Sequence, residues 1–179
     1  MADVTFQRKE YRHRAPAWDQ VSVAAEGQQA VKDGREDYLP RPNPADKSIK
    51  ADHRYDNYLA RAVYYNATGR TLQGLIGAVF KEDPSIQVPA DLDYVQTDID
   101  GAGTSIYQQS QGALEDVLKA GRCALMVDMP RTEGATTRAQ QRALGIYPRC
   151  HTYPASSVIN WRTETMGGRV VLSLSLIHI

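Results

Sequence analysis

Apolar residues recur at helical spacing three times along this chain. Tyr55, Tyr58, Leu59, Ala62 and Val63 fall at i, i+3, i+4, i+7 and i+8, and Leu72, Leu75, Ile76, Val79 and Phe80 repeat the pattern. Each set lines one face of an amphipathic helix. Asn66-Ala-Thr-Gly69 lies between them, as a turn between two helices or a weak point in one. The stripes stay nearly in phase, which predicts one long helix ended by Asp83-Pro84. A third stripe runs through Ile106, Tyr107, Ser110, Ala113, Leu114, Val117 and Leu118. Asp100 or Thr104 is its expected N-cap and Gly121 its C-cap.

Upstream the pattern is weaker. Residues 1–15 have no period and read as an arm. Pro16 suits a helix start, because the first turn needs no N–H there. Trp18, Val21, Ala25 and Val31 then keep a rough stripe up to Gly34. Pro40, Pro42 and Pro44 make an extended linker, since each proline pushes its predecessor out of the α region. Downstream, Cys123-Ala-Leu-Met-Val-Asp128 is a short continuous apolar run after a helix stop, the mark of a buried strand. Residues 131–144 are polar and read as a loop or short helix. Ile146–Tyr153 predicts a strand held to an edge or bulge by Pro148. Ser157–Arg162 and Arg169–Leu172 predict further strands around a Gly167-Gly168 turn. Helices first and a small β-sheet after define an α+β class.

Composition narrows the function. Lys plus Arg equals Asp plus Glu at 21 each, without the basic excess of a protein that lives by neutralising phosphates. The start has no apolar leader segment, and Leu75–Phe80, the longest interior apolar run, is too short to span a bilayer. No membrane partner is expected. Cys123 and Cys150 lack zinc-site spacing and read as two buried free thiols, with a disulfide as the other option. Ten tyrosines stand beside two phenylalanines, which fits interfaces or half-buried packing; Tyr55, Tyr58 and Tyr65 are the expected core or subunit contacts.

Candidate chemistry is sparse. Asp98-x-Asp100 opens like a calcium loop, but Ala102 and Gln109 hold the places that need Asp or Asn and the bidentate Glu. Capping and a tight glycine turn account better for these residues. Gly101-Ala-Gly103 lacks the third glycine of a dinucleotide loop, and no Walker lysine or Gly-x-Ser-x-Gly elbow occurs. His13, His53 and His151 are scattered and read as surface or loop residues. No catalytic, cofactor or metal residue is assigned.

Four blocks, in order, resemble tailed-phage portal proteins. They are Tyr38-Leu-Pro-Arg41 with Tyr58 through Phe80; Asp98 through Ser105 with the helix after it; Gly121 through Pro130; and Tyr153 through Arg162. The likeness spans roughly residues 18–165. It implies an N-terminal arm, short helix and Pro-rich linker at 1–46, and the start of a wing-like α+β domain at 47–173. It further implies a structural subunit and not an enzyme. That subunit belongs to a ring, commonly a dodecamer, at the portal vertex of the virion, assembled in the bacterial host cytoplasm. Partners implied are the terminase large subunit, head–tail connector and capsid proteins, and double-stranded DNA passing without sequence-specific contact; no cofactor is implied. The family's stem, clip and channel loop lie beyond Leu172, so no DNA-contacting residue is assigned. Another phage head or minor capsid protein is the nearest alternative. A fragment of a cytoplasmic α/β hydrolase or nucleotide-binding enzyme is the alternative from another class.

Leu174-Ser-Leu-Ile-His-Ile179 resembles one reading frame of the transposase end used in some sequencing libraries. Residues 174–179 are therefore expected to be adapter read-through, against the option of a closing strand in which Val170, Leu172, Leu174 and Leu176 alternate. Re-sequencing the source DNA across codon 173 without that transposase is expected to reveal a frame that runs on. A stop codon after Ile179 overturns the expectation.

Overall fold

The computed structural model describes residues 5–132, 134 and 137–177. Residues 1–4 of the expected arm, and His178 and Ile179 of the expected read-through, lie outside them. The chain is α+β, with helices first and antiparallel strands after.

Helix α1, Lys9–Glu26, starts well before Pro16, which lies inside it and not at its first turn. Residues 9–15 of the expected arm are thus helical. An interior proline costs roughly 3 kcal/mol. Anchors to distant residues at the helix start offset it: Arg8 N donates to the Ile159 carbonyl at 3.0 Å, Arg8 Nη1 to the Trp161 carbonyl at 2.8 Å, and the Tyr11 hydroxyl to the Ser156 carbonyl at 2.8 Å. Gly27, at φ 103°, ends α1 and starts the short α2, Gln28–Asp33.

The single long helix is instead two, α3 at Ile49–Arg61 and α4 at Ala67–Val79. Ala62 turns extended, and the Asn66 side chain caps α4 by accepting from Gly69 N at 2.7 Å. The same amide donates to the Ala25 carbonyl at 2.8 Å, and the Tyr64 hydroxyl to the Ala24 carbonyl at 3.1 Å. The break therefore ties the two helices to the end of α1. A continuous helix would forfeit the cap and both tethers. Val63, on the expected apolar stripe, falls in the break and is 88% exposed.

Tyr55 on α3 is the most deeply buried large side chain, at 1% exposure. Its hydroxyl donates to the Leu39 carbonyl at 2.8 Å, which folds the Pro-rich segment over the helix. Arg41 and Arg35 stack over the ring at 4.8 and 5.2 Å. Arg41 also bridges Glu36 and Asp52, each at 2.6 Å.

Helix α5, Ile106–Ala120, is capped at its start by Ser105 with Gln108, not by Asp100 or Thr104, and at its end by Gly121 in the left-handed conformation, as the sequence predicts. Strand β1, Cys123–Asp128, pairs antiparallel with β2, Arg149–Pro154; between them, α6 at Arg138–Ala143 lies in the polar stretch. Strands β3, Val158–Met166, and β4, Arg169–Ile177, form a second hairpin around Gly167-Gly168. The sheet is thus two separate two-stranded sheets. Strand β1 is in place but not buried: Leu125 is 60% and Val127 71% exposed. Helix α5 packs against β1 and β2, and the other sheet does not pair with β1. Residues 174–177 continue β4.

Tyr55→Ala is expected to lower stability by about 3–5 kcal/mol, and Tyr55→Phe by about 1 kcal/mol. Urea denaturation of the two variants checks this. Equal losses would place the whole effect on the hydroxyl and overturn the packing account.

Candidate functional site

The residues with catalytic chemistry do not converge. His13 lies on α1 and His53 on α3, both exposed, and His151 lies half-buried on β2. Cys123 and Cys150 are free and half-buried. The β1–β2 register sets Cys150 opposite Val127 and Cys123 opposite Pro154, so the two thiols belong to different rungs. Burial, helped by the Asp116 carboxylate, raises the Cys123 thiol above its ordinary value. Among the described residues no group of three His, Cys, Asp or Glu side chains is placed to hold a metal ion.

The Asp98–Thr104 loop acts as a brace. Asp98 Oδ1 accepts from Gly101 N at 2.7 Å and Gly103 N at 2.9 Å, and Asp100 Oδ1 from Ala102 N at 2.8 Å and Thr104 N at 3.2 Å. One oxygen of each carboxylate that could face a cation is thus engaged by the loop's own backbone. The Thr104 hydroxyl first, then the Ala102 backbone N–H, holds the Asp100 carboxyl down at about 2. Gly101, at φ 83°, leaves the space of its missing side chain to the Arg149 guanidinium. From this brace the Ile99 carbonyl accepts from Cys150 N at 2.8 Å, and on α5 Gln109 Nε2 donates to the Cys150 carbonyl at 2.6 Å. Loop, helix and β2 are locked at one residue.

The most elaborate cluster joins α1, the end of α5 and β3. Trp18 Nε1 donates to the Ala120 carbonyl at 3.1 Å, one of the carbonyls a helix end leaves without a partner. The Arg122 guanidinium lies 4.8 Å from the Trp18 ring and 4.2 Å from the Trp161 ring, and Arg8 covers Trp161 at 4.7 Å. Burial lowers the pKa of Arg122. A cavity of ≈ 350 Å³ opens beside this cluster. Sequence reasoning gave Arg122 no role. Its signal was position: an arginine between the helix stop Gly121 and an apolar strand has to be accommodated inside or against something.

Apolar surface is the other notable feature. Leu75 and Val79 on α4, Val117 and Leu118 on α5, Leu125 and Val127 on β1, and Val170 and Leu172 on β4 are all exposed. Tyr58 is half-buried, and Tyr65 is exposed. The accessible surface totals 12921 Å². A compact monomer of this chain's 19.9 kDa exposes only about 8,700 Å². No protein-family model matches the chain, and no curated protein matches it at a significant level.

Asp100 gives a pH test. Its folded value is depressed, so its contribution is present above 3.8 and is lost as pH falls through about 2. The amide signals of Ala102 and Thr104 are expected to titrate together near the lower value in NMR spectra. A midpoint close to 3.8 overturns the brace.

Proposed function

We propose that this chain is a structural subunit of a tailed-phage portal ring, through which DNA is packaged and ejected, and that it performs no catalysis and needs no cofactor. The observation that carries the reading furthest is surface. Exposed apolar residues lie on α4, α5, β1 and β4, and the accessible area is about half again that of a compact monomer of this mass. Exposed apolar residues, where they gather into a contiguous patch, suit protein–protein contacts. Contacts on unlike faces are what close identical subunits into a ring. The four ordered sequence blocks add the family, and helices followed by small antiparallel sheets agree with a wing-like region. Equal numbers of acidic and basic residues suit a path along which DNA slides, because strong phosphate contacts would hold it. In this reading the ring sits at the virion vertex, docks the terminase large subunit during packaging and head–tail connectors afterwards, and meets capsid proteins at its rim.

Expressed from its complete reading frame, the protein is expected to form rings with a central channel in electron micrographs. Val79→Asp and Val117→Asp, both on exposed positions, are expected to abolish assembly while leaving the circular dichroism spectrum unchanged. A product that stays monomeric at tens of micromolar, or assembles without a channel, overturns the portal reading.

A further inference from the structure

Arg122 sits where a cation needs an anion, and the described residues supply none. Its guanidinium is clamped between Trp18 and Trp161, at 4.8 and 4.2 Å. Nη2 donates to the Val158 carbonyl at 3.3 Å, and Nε is buried without an acceptor. The side chain is half-buried, and a cation that has lost part of its water gains from an anion beyond two indole contacts and one weak hydrogen bond. The adjacent cavity of ≈ 350 Å³ is lined by Glu10, Arg14, Trp18, Arg122 and Trp161, besides the backbone turn at Ala120-Gly121. Glu10 is its one acidic wall residue, and Arg8 already engages that carboxylate at 2.9 Å. Arg14 has no ion-pair partner among the described residues either. Two guanidinium groups and two indole walls therefore surround a space open to solvent.

We propose that this cavity is a socket for an acidic side chain of another protein chain, whose carboxylate enters from the open side of the cavity and meets the exposed edges of the Arg122 and Arg14 guanidinium groups. A guanidinium fork matches a carboxylate in geometry as well as charge. The parts of Trp18 and Trp161 that line the cavity give the methylene stem of a glutamate an apolar wall. A nucleic-acid backbone fits poorly, because the chain carries no basic excess. The socket goes beyond the ring reading and does not require it, since any partner that presents an exposed glutamate satisfies the geometry.

The chain has two tryptophans, and both flank Arg122, so intrinsic fluorescence reports occupancy directly. The full chain is titrated with a short end-capped peptide carrying glutamates in a serine–glycine background, with the same peptide carrying glutamines, and with inorganic phosphate. The expected result is a saturable change with the glutamate peptide alone. Arg122→Met is expected to weaken binding about tenfold or more. Arg14→Gln, at an exposed position of α1 where folding is not at stake, is expected to weaken it severalfold. No saturable change with the glutamate peptide overturns the proposal, as does equal binding of the glutamine peptide. Saturation by phosphate without the peptide overturns it in favour of an inorganic oxyanion site. Unaltered affinity in Arg14→Gln removes the second cation from the socket and overturns the proposal as drawn.

Discussion

A phenol whose ring packs and whose hydroxyl donates to a distant backbone carbonyl is the contact on which this chain's packing turns. Tyr55 reaches Leu39, Tyr64 reaches Ala24, Tyr11 reaches Ser156 and Tyr94 reaches Pro148. Trp18 does the same for Ala120. Each such bond contributes on the order of 1 kcal/mol net, and it also satisfies a carbonyl that no helix or strand satisfies. A phenylalanine in the same place would pack and leave the carbonyl alone. The excess of tyrosine over phenylalanine, ten against two, follows from a fold whose loops and helix ends must be tied down one by one.

The same bonds explain how the chain stays ordered with a thin interior. Among the described residues the buried apolar side chains are few and spread over separate places: Val31, Ala51, Tyr55 and Leu59 around the first helices, Leu72 on α4, Val95 and Ile99 in the segment before α5, Ala155, Val158 and Ile159 at the start of the second hairpin. No single layer collects them. Apolar side chains that a larger core would absorb are left facing outward on two helices and two strands.

Much of the element order was legible in the sequence. Periodicity located α5 and the apolar run located β1, and Gly121 stops the helix between them because its left-handed backbone suits only glycine well. The misreadings share one cause, which is that tertiary anchors override local signals. Pro16 marks a first turn by its own chemistry, yet Arg8 and Tyr11 pull the helix start upstream by holding β3 and the turn before it. Two stripes in phase read as one helix, yet Asn66 gains a cap and a tether by breaking it. An apolar strand reads as buried, yet β1 lies at the edge of a two-stranded sheet with its far residues uncovered. Arg122 carried no motif at all. Its meaning comes from Trp18, far upstream, and Trp161, far downstream, and sequence spacing does not encode that meeting.

Helix α1 has its anchors at the opposite end of the chain, with Arg8 and Trp161 separated by 153 positions and Tyr11 and Ser156 by 145. On a ribosome that adds roughly 5–20 residues per second, the helix start emerges and then waits roughly 7–30 s before its anchors on and beside β3 exist. During that interval the end of α1 already meets Tyr64, Asn66 and α4, and Trp18 later meets Ala120, while the first turns of the helix still lack β3. The hairpin of β3 and β4, with its two-glycine turn, closes within microseconds once made. Docking of the first turns of α1 therefore follows the making of β3, and the pace of translation from the first helix through β3 sets when that docking can occur.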